Sequence, residues 1–400
     1  MNKNIKYLLF VRFLRSIGQG LLIVDFALYL KAMGYNGFQI GLVYTFISLF
    51  GAFGSLLVGV VSDKTKRKPF LMIYTMLLMI ASLGMLFTVN IYIIAILSAF
   101  GSFGLGANGA AGPFSPAEQA LLAENIKPDK RGVIFSLNTA LGFLGMSIGS
   151  AFAMLFSFLK FKQNNLEYQL PYIVIFVFAA LTLILLLKVT ENYKAKVPKS
   201  SSPSPQEQSV NKKENFNLLK LIGLNSINGL AIGLKGPLIA YFFAVKFGVG
   251  AKHIGFVLAI TFLLSAVLSF YTGKLSLRIG IVKSVFIQRL VGLIFLILLP
   301  LAPSYILASI FYIFHQIFNR SSAGARQALT VSLVRDKRRG FAVSINSASM
   351  QFPRSIGPYI TGIFFDADLF ALPFFMAAFL QGLYLIFYKK FFKDFNFPTE

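Results

Sequence analysis

The feature that most constrains this chain is a succession of apolar runs of about 20 residues, the length that crosses a bilayer as a helix. Twelve such runs can be placed, at 7–31, 38–60, 70–89, 91–111, 132–159, 170–189, 216–246, 254–273, 282–301, 304–320, 340–362 and 370–388. Hydrocarbon offers no partner for an exposed N–H or C=O, so each run is expected to be helical. Of the 400 residues, 56% are hydrophobic and 13% charged, against about 25% charged in soluble domains. A soluble fold of this length could not cover so much apolar surface. The class this implies is an all-α integral membrane protein.

The net charge of +24 would suggest nucleic acid in a soluble protein. Here the Lys and Arg fall in short segments between apolar runs, where they set topology. Placing both termini in the cytoplasm puts 28 of the 38 Lys and Arg in cytoplasmic segments and 5 in external loops. No nucleic-acid partner is expected. The chain has no Cys and only two His, so thiolate chemistry is excluded and metal-spaced histidines are lacking. No Walker-type phosphate loop, nucleophile elbow or cluster of catalytic acids occurs. The expectation is therefore a non-enzyme without cofactor or metal. The opening MNKNIK and its apolar run resemble a signal peptide only briefly, because Arg12 and Arg15 interrupt the run; it is read as a retained span.

The polar stretch 190–215, rich in Ser, Pro, Lys and Gln, reads as a disordered cytoplasmic linker between a bundle at 1–189 and one at 216–400. The halves repeat. At an offset of 214, Gly34, Ile40, Gly41 and Gly59 meet Gly248, Ile254, Gly255 and Gly273. At an offset of 208, Gln119-Ala120-Leu121 meets Gln327-Ala328-Leu329, and Arg131, Ser136, Asn138 and Gly149 meet Arg339, Ser344, Asn346 and Gly357. Two repeated six-helix bundles imply a site between them near the midplane.

After the second span comes GVVSDKTKRKP (59–69), which resembles the signature loop of the major facilitator superfamily. Gly59, Asp63, Lys64, Arg67 and Lys68 match, while Lys66 stands where glycine is usual. The resemblance covers the whole chain and implies twelve transmembrane helices in two six-helix repeated bundles. It also implies that Asp63 meets the start of the eleventh helix and neighbouring basic residues, including Arg131, as a cytoplasmic gate. The drug:proton antiporter-like branch fits with departures. Phe100 occupies the place of its embedded Arg, and Ser150, Ala153 and Met154 break its fifth-helix glycine motif. The glycines at 101, 104, 106, 109, 142, 145 and 149 also read simply as close-packing seams.

Ionisable groups inside spans mark functional positions unless paired structurally. Arg12, Arg15, Gly18, Gln19 and Asp25 fall within an arc of about 140° on the first helix. The resemblance implies that helices 1, 4, 7 and 10 line the cavity, which places Arg15, Gln19, Asp25, Lys235 and His315 there; Arg354 lies at similar depth in helix 11. Arg12 is read as snorkelling to the cytoplasmic end. Asp25, the one clear intramembrane acid, is read as a proton carrier, an ion-pair partner of Lys235, or a group near the outer mouth. Arg15, Lys235 and Arg354 outnumber it, which favours an anionic or amphipathic substrate held by Arg forks and a Lys charge.

The expected function is a secondary active transporter of a small organic solute, working by alternating access and coupled to protons, with export ahead of import. The alternatives are a broad-specificity multidrug efflux antiporter and a non-transporting membrane sensor or scaffold. The expected setting is the plasma or inner cell membrane, as a multi-pass monomer whose partners are its substrate, protons and the bilayer.

Overall fold

A computed structural model describes residues 2–62, 66–105, 112–126, 131–158, 166–191, 205–323, 326, 329, 330, 333 and 339–392. Asp63 and Lys64 lie outside the described residues; Gly59 and Arg131 lie on helices, but nothing of the Arg131 side chain is described. The helices are α1 (Lys3–Ala32), α2 (Gly37–Ser62), α3 (Lys68–Gly84), α4 (Ile91–Gly101), α5 (Phe114–Glu124), α6 (Arg131–Phe156), α7 (Leu166–Lys188), α8 (Pro205–Lys235), α9 (Ile239–Phe247), α10 (Ala251–Ile279), α11 (Ile281–Leu298), α12 (Tyr305–Ser321), α13 (Arg339–Asp366) and α14 (Leu372–Phe392). Among the described residues there is no strand, and eight helices are long and apolar enough to cross a membrane. Each of the twelve expected spans coincides with one helix or a pair.

Three expectations need correction. The linker was placed at 190–215, yet α8 begins at Pro205. Proline is at home in a first helical turn, and good helix formers such as Gln206, Glu207 and Gln208 follow. The seventh span breaks into α8 and α9 at Gly236–Leu238, because Pro237 has no N–H to continue the ladder. The fourth span was drawn as one helix over 91–111, but α4 stops at Gly101. Ser102 (φ 54°) and Gly104 (φ 66°) then take the left-handed conformation, and Pro113 leads into a separate helix, α5.

The packing repeats as the sequence does. In the N-terminal half α1 packs most heavily on α6, and in the C-terminal half α8 packs on α13. Both contacts are backbone-close seams. A Cβ at Gly20 would run into Met146, and one at Gly149 into the Ile17 carbonyl. In the C-terminal half Gly229 meets Met350, and Gly357, the counterpart of Gly149, meets Gly233 in the same way. Small residues let helices approach where lipid gives no hydrophobic drive for association.

The two halves meet through α2 against α13 and α6 against α10. Their apolar packing is uneven across the membrane. One face, the termini side, carries the start of α1 and the ends of α5 and α7, where Asn4 bonds Thr190 and Asn125. Toward the opposite face a single core joins Leu21–Leu30 and Tyr44 to Phe242, Phe262 and Phe374. Toward the termini face there are two cores. One is made of Leu8, Val58, Phe114 and Leu186, and the other of Leu221, Val285, Leu329 and Tyr388. Among the described residues the halves share one apolar core away from the termini and have two distinct cores beside them.

The far-face junction is also polar. The Asp366 carboxylate, at the end of α13, accepts the Gly37 N–H (2.6 Å) and the Phe38 N–H (2.8 Å), capping α2 of the other half. A carboxylate at a helix N-terminus is favoured by unsatisfied amides and the helix dipole. Beside it, Cβ atoms at Gly41 and Gly362 would strike the Pro358 and Gly37 carbonyls. At the second junction Ser147 donates to the Ala259 carbonyl (2.8 Å).

Candidate functional site

The break between α8 and α9 leaves Lys235 as the last residue of α8, buried at mid-depth with 5% of its surface exposed. Its Nζ lies 2.6 Å from Nε2 of His315 on α12. Nδ1 of His315 is 2.6 Å from the Gly292 carbonyl of α11. A carbonyl can only accept, so Nδ1 carries the proton; with Nε2 the acceptor, Lys235 donates to it. Three helices are thus tied through one neutral imidazole. Among the described residues no carboxylate is paired with Lys235, so the expected alternative of a Lys235–Asp25 ion pair is not formed.

Asp25 stands apart on α1, 7% exposed, and its Oδ2 makes no hydrogen bond. Around this stretch of α1 are aromatic side chains: Tyr29 packs edge-on against Tyr172, and Phe26 against Tyr44 and Phe103.

The basic residues nearer the N-terminus behave differently from expectation. Arg12 does not snorkel. It is buried and its Nη1 donates to Oε2 of Glu118 on α5 at 2.6 Å. Glu118 is fully buried, so Asp25 is not the one buried acid of this half. Arg15 lies within electrostatic reach of Glu118, with its guanidinium 3.9 Å over the Phe114 ring. Gln19 is buried on the same stretch of α1. Glu118 was passed over because its segment, FSPAEQALLAE, reads as a polar connector; the helical apolar spacing of Phe114, Ala117, Leu121 and Leu122 was the available signal.

Arg354 of α13 reaches across to the N-terminal half. Its Nη2 donates to the Leu105 carbonyl at 2.8 Å, beyond the end of α4. Arg320, on α12 one turn and a half beyond His315, lies over Phe143 (5.5 Å) and Phe262 (4.8 Å), the latter also flanking the junction of α6 and α10. The structure thus brings Lys235 and His315 together, sends Arg354 to the inter-half contact, and leaves Arg15 and Asp25 in separate environments of α1.

Of the signature loop, Arg67 and Lys68 are placed within their own half. Arg67 pairs with Glu124, and Glu191 accepts the backbone N–H groups of Arg67 (2.7 Å) and Lys68 (2.9 Å) at the start of α3. In return the Lys68 ammonium caps the Leu187 and Val189 carbonyls at the end of α7. The two helix ends satisfy each other's orphan groups. Among the described residues, no group of three or more His, Cys, Asp or Glu could hold a metal.

The sequence model of the Major Facilitator Superfamily matches residues 8–226 and again 221–395. The chain belongs to this superfamily. Its sequence is 21% identical over 395 residues to an uncharacterized membrane protein of Saccharomyces cerevisiae, covering 90% of this chain and 88% of that one. The fold is similar to a bacterial homolog of the human lysosomal transporter Spinster (TM-score 0.73, 14% identity, 99% and 98% of the two chains). It is also similar to the nucleoside transporter NupG (TM-score 0.72, 14%, 98% and 100%). The human organic anion transporter TETRAN is a third structural neighbour of this superfamily member (TM-score 0.69, 14%, 96% and 99%). The protein is a multi-pass membrane protein with the fold of these transporters.

Proposed function

We propose that this protein is a secondary active transporter that moves small anionic or amphipathic organic solutes by alternating access, coupled to protons. The observation that carries the reading is the apolar packing: one core shared by both halves toward the far face, two separate cores toward the termini. Two bodies fused at one side and independent at the other are what a rocking exchange between two open states requires. With the termini in the cytoplasm, as the Lys and Arg distribution favours, the described state is the one with its separable side toward the cytoplasm.

The substrate class rests on charge. Lys235, Arg320 and Arg354 project from the buried parts of α8, α12 and α13, and no carboxylate is paired with any of them among the described residues. An anion held by Lys235 in place of the His315 imidazole would gain a charge-assisted bond in a site of low dielectric. Asp25 supplies the proton-binding group. That structural neighbours include transporters of nucleosides and organic anions supports the transport reading.

The test is flux in liposomes containing the purified chain, with octanoate and octylammonium as matched probes. Octanoate uptake driven by an imposed pH gradient, reduced in Lys235→Ala and uncoupled from the gradient in Asp25→Asn, is the expected result. Flux of octylammonium alone would replace the anion reading with cation export; absence of any flux with preserved binding would favour a sensor.

A further inference from the structure

Glu118 and Arg326 occupy the same place in the two repeats, because the offset of 208 that aligns Gln119 with Gln327 also aligns Glu118 with Arg326. Around Glu118 the N-terminal half assembles Arg12, Arg15 and Asn138, so two guanidinium groups share one carboxylate. Around Arg326 the C-terminal half assembles another guanidinium, and among the described residues no carboxylate is paired with either.

That second cluster is built. Thr330 Oγ1 donates to the Arg326 carbonyl (3.0 Å) and is bonded to Asn346 Oδ1 (3.2 Å), which also accepts from Asn225 (2.8 Å). One turn along α8, Asn228 Oδ1 accepts from Arg289 Nη1 at 2.8 Å. The Arg289 guanidinium sits 4.5 Å over the Tyr384 ring, and Tyr384 stacks on Tyr388. Arg289 is 4% exposed, and Val285, Leu329, Tyr384 and Tyr388 enclose it in one apolar cluster. Within it Arg289 Nε and Nη2, Arg326 Nε and the Tyr388 hydroxyl make no hydrogen bond. Arg326 lies within electrostatic reach of Arg289.

A guanidinium has no acceptor atom, so neighbouring arginines cannot satisfy one another. Removing two like charges from water without a counter-charge is costly. In the N-terminal half Glu118 lowers that cost; here, among the described residues, no carboxylate pairs with either guanidinium. We infer that the Arg289–Arg326 cluster is an anion-binding site, with the anion standing where the first repeat carries the Glu118 carboxylate. The ligand is a small oxyanion or halide, supplied either from solution or as the phosphate of a lipid headgroup. The site lies on α11 one turn from the Gly292 carbonyl that holds His315, and its occupancy holds the termini-side ends of α8, α11 and α14 together.

The test is the melting temperature of the purified full-length protein in sodium gluconate, with chloride, inorganic phosphate or phosphatidylglycerol added at constant ionic strength. The wild type is expected to gain several degrees with at least one of these, because a ligand stabilises in proportion to the logarithm of its saturation. A gain with chloride or phosphate identifies a free anion, and a gain confined to phosphatidylglycerol identifies a headgroup. Arg326→Glu, which restores the arrangement of the first repeat, is expected to lose the dependence on added anion while melting no lower in gluconate than the wild type. Arg289→Met, which removes one charge of the pair, is expected to lose it as well. A wild type indifferent to all three additions, or an undiminished gain in both variants, overturns the site. Melting is read with no transport substrate present, so this result and the flux result are scored independently.

Discussion

Two halves built on the same helix plan have kept the same backbone seams and exchanged their buried charges. At the seams, Gly149 and its counterpart Gly357 both press against a partner backbone. At the charged positions the first half carries Glu118 against Arg12 and Arg15, while the second carries Arg326 beside Arg289. Backbone approach is a steric condition that both halves share, so it resists change. Charge is set by what else fills the site, and it is free to differ. The lesson is that the N-terminal cluster carries its own counter-charge in Glu118, whereas among the described residues the C-terminal cluster carries none.

The comparison can be broken most severely at Glu118. Glu118→Ala leaves Arg12 buried and unpaired beside Arg15, and breaking such a pair costs about 3–5 kcal/mol. The expected result is a large loss of folded protein, read by size exclusion and melting temperature, with partial recovery in the Arg12→Met/Glu118→Met double variant. Equal damage in the single and double variants would show that the pair does not set the stability of that half.

A smaller effect is expected at Lys235. A hydrogen bond to a charged group is worth about 1.5–3 kcal/mol, so Lys235→Ala should weaken octanoate binding roughly ten- to hundredfold. The corresponding depth of the first helix is the control: Gln19→Ala should weaken it far less, as measured by flux under matched gradients.

The far-face latch comes next. Asp366→Asn keeps the shape of the cap on Gly37 and Phe38 and removes its charge, at a cost of about 0.5–2 kcal/mol. The far face should open more often. Because the native chain has no cysteine, a single Met154→Cys beside Gly255 can report this through labelling by an impermeant maleimide. Faster labelling in the Asp366→Asn background is the expected outcome, and an unchanged rate would remove Asp366 from the gate. The mildest change is Glu191→Gln, which should lower stability by about 1 kcal/mol through the start of α3 without altering flux.

The expected spans and the repeat were readable in the chain, because a bilayer demands apolar helices of fixed length and duplicated helices keep their offsets. Lys235, His315 and Arg354 could likewise be singled out, since an ionisable residue in an apolar run is costly enough to be conspicuous. What the chain could not show was pairing. Arg12 and Glu118 are 106 positions apart, and Lys235 and His315 are 80; nothing local says which groups will meet. Nor could it show that α8 stops where Lys235 faces a histidine, although Pro237 announced the break. Length, hydropathy and repeat are properties of segments, and the sequence determined them. Which charge is answered by a neighbour, and which is left for a ligand, depends on distances between segments, and only the tertiary structure decided that.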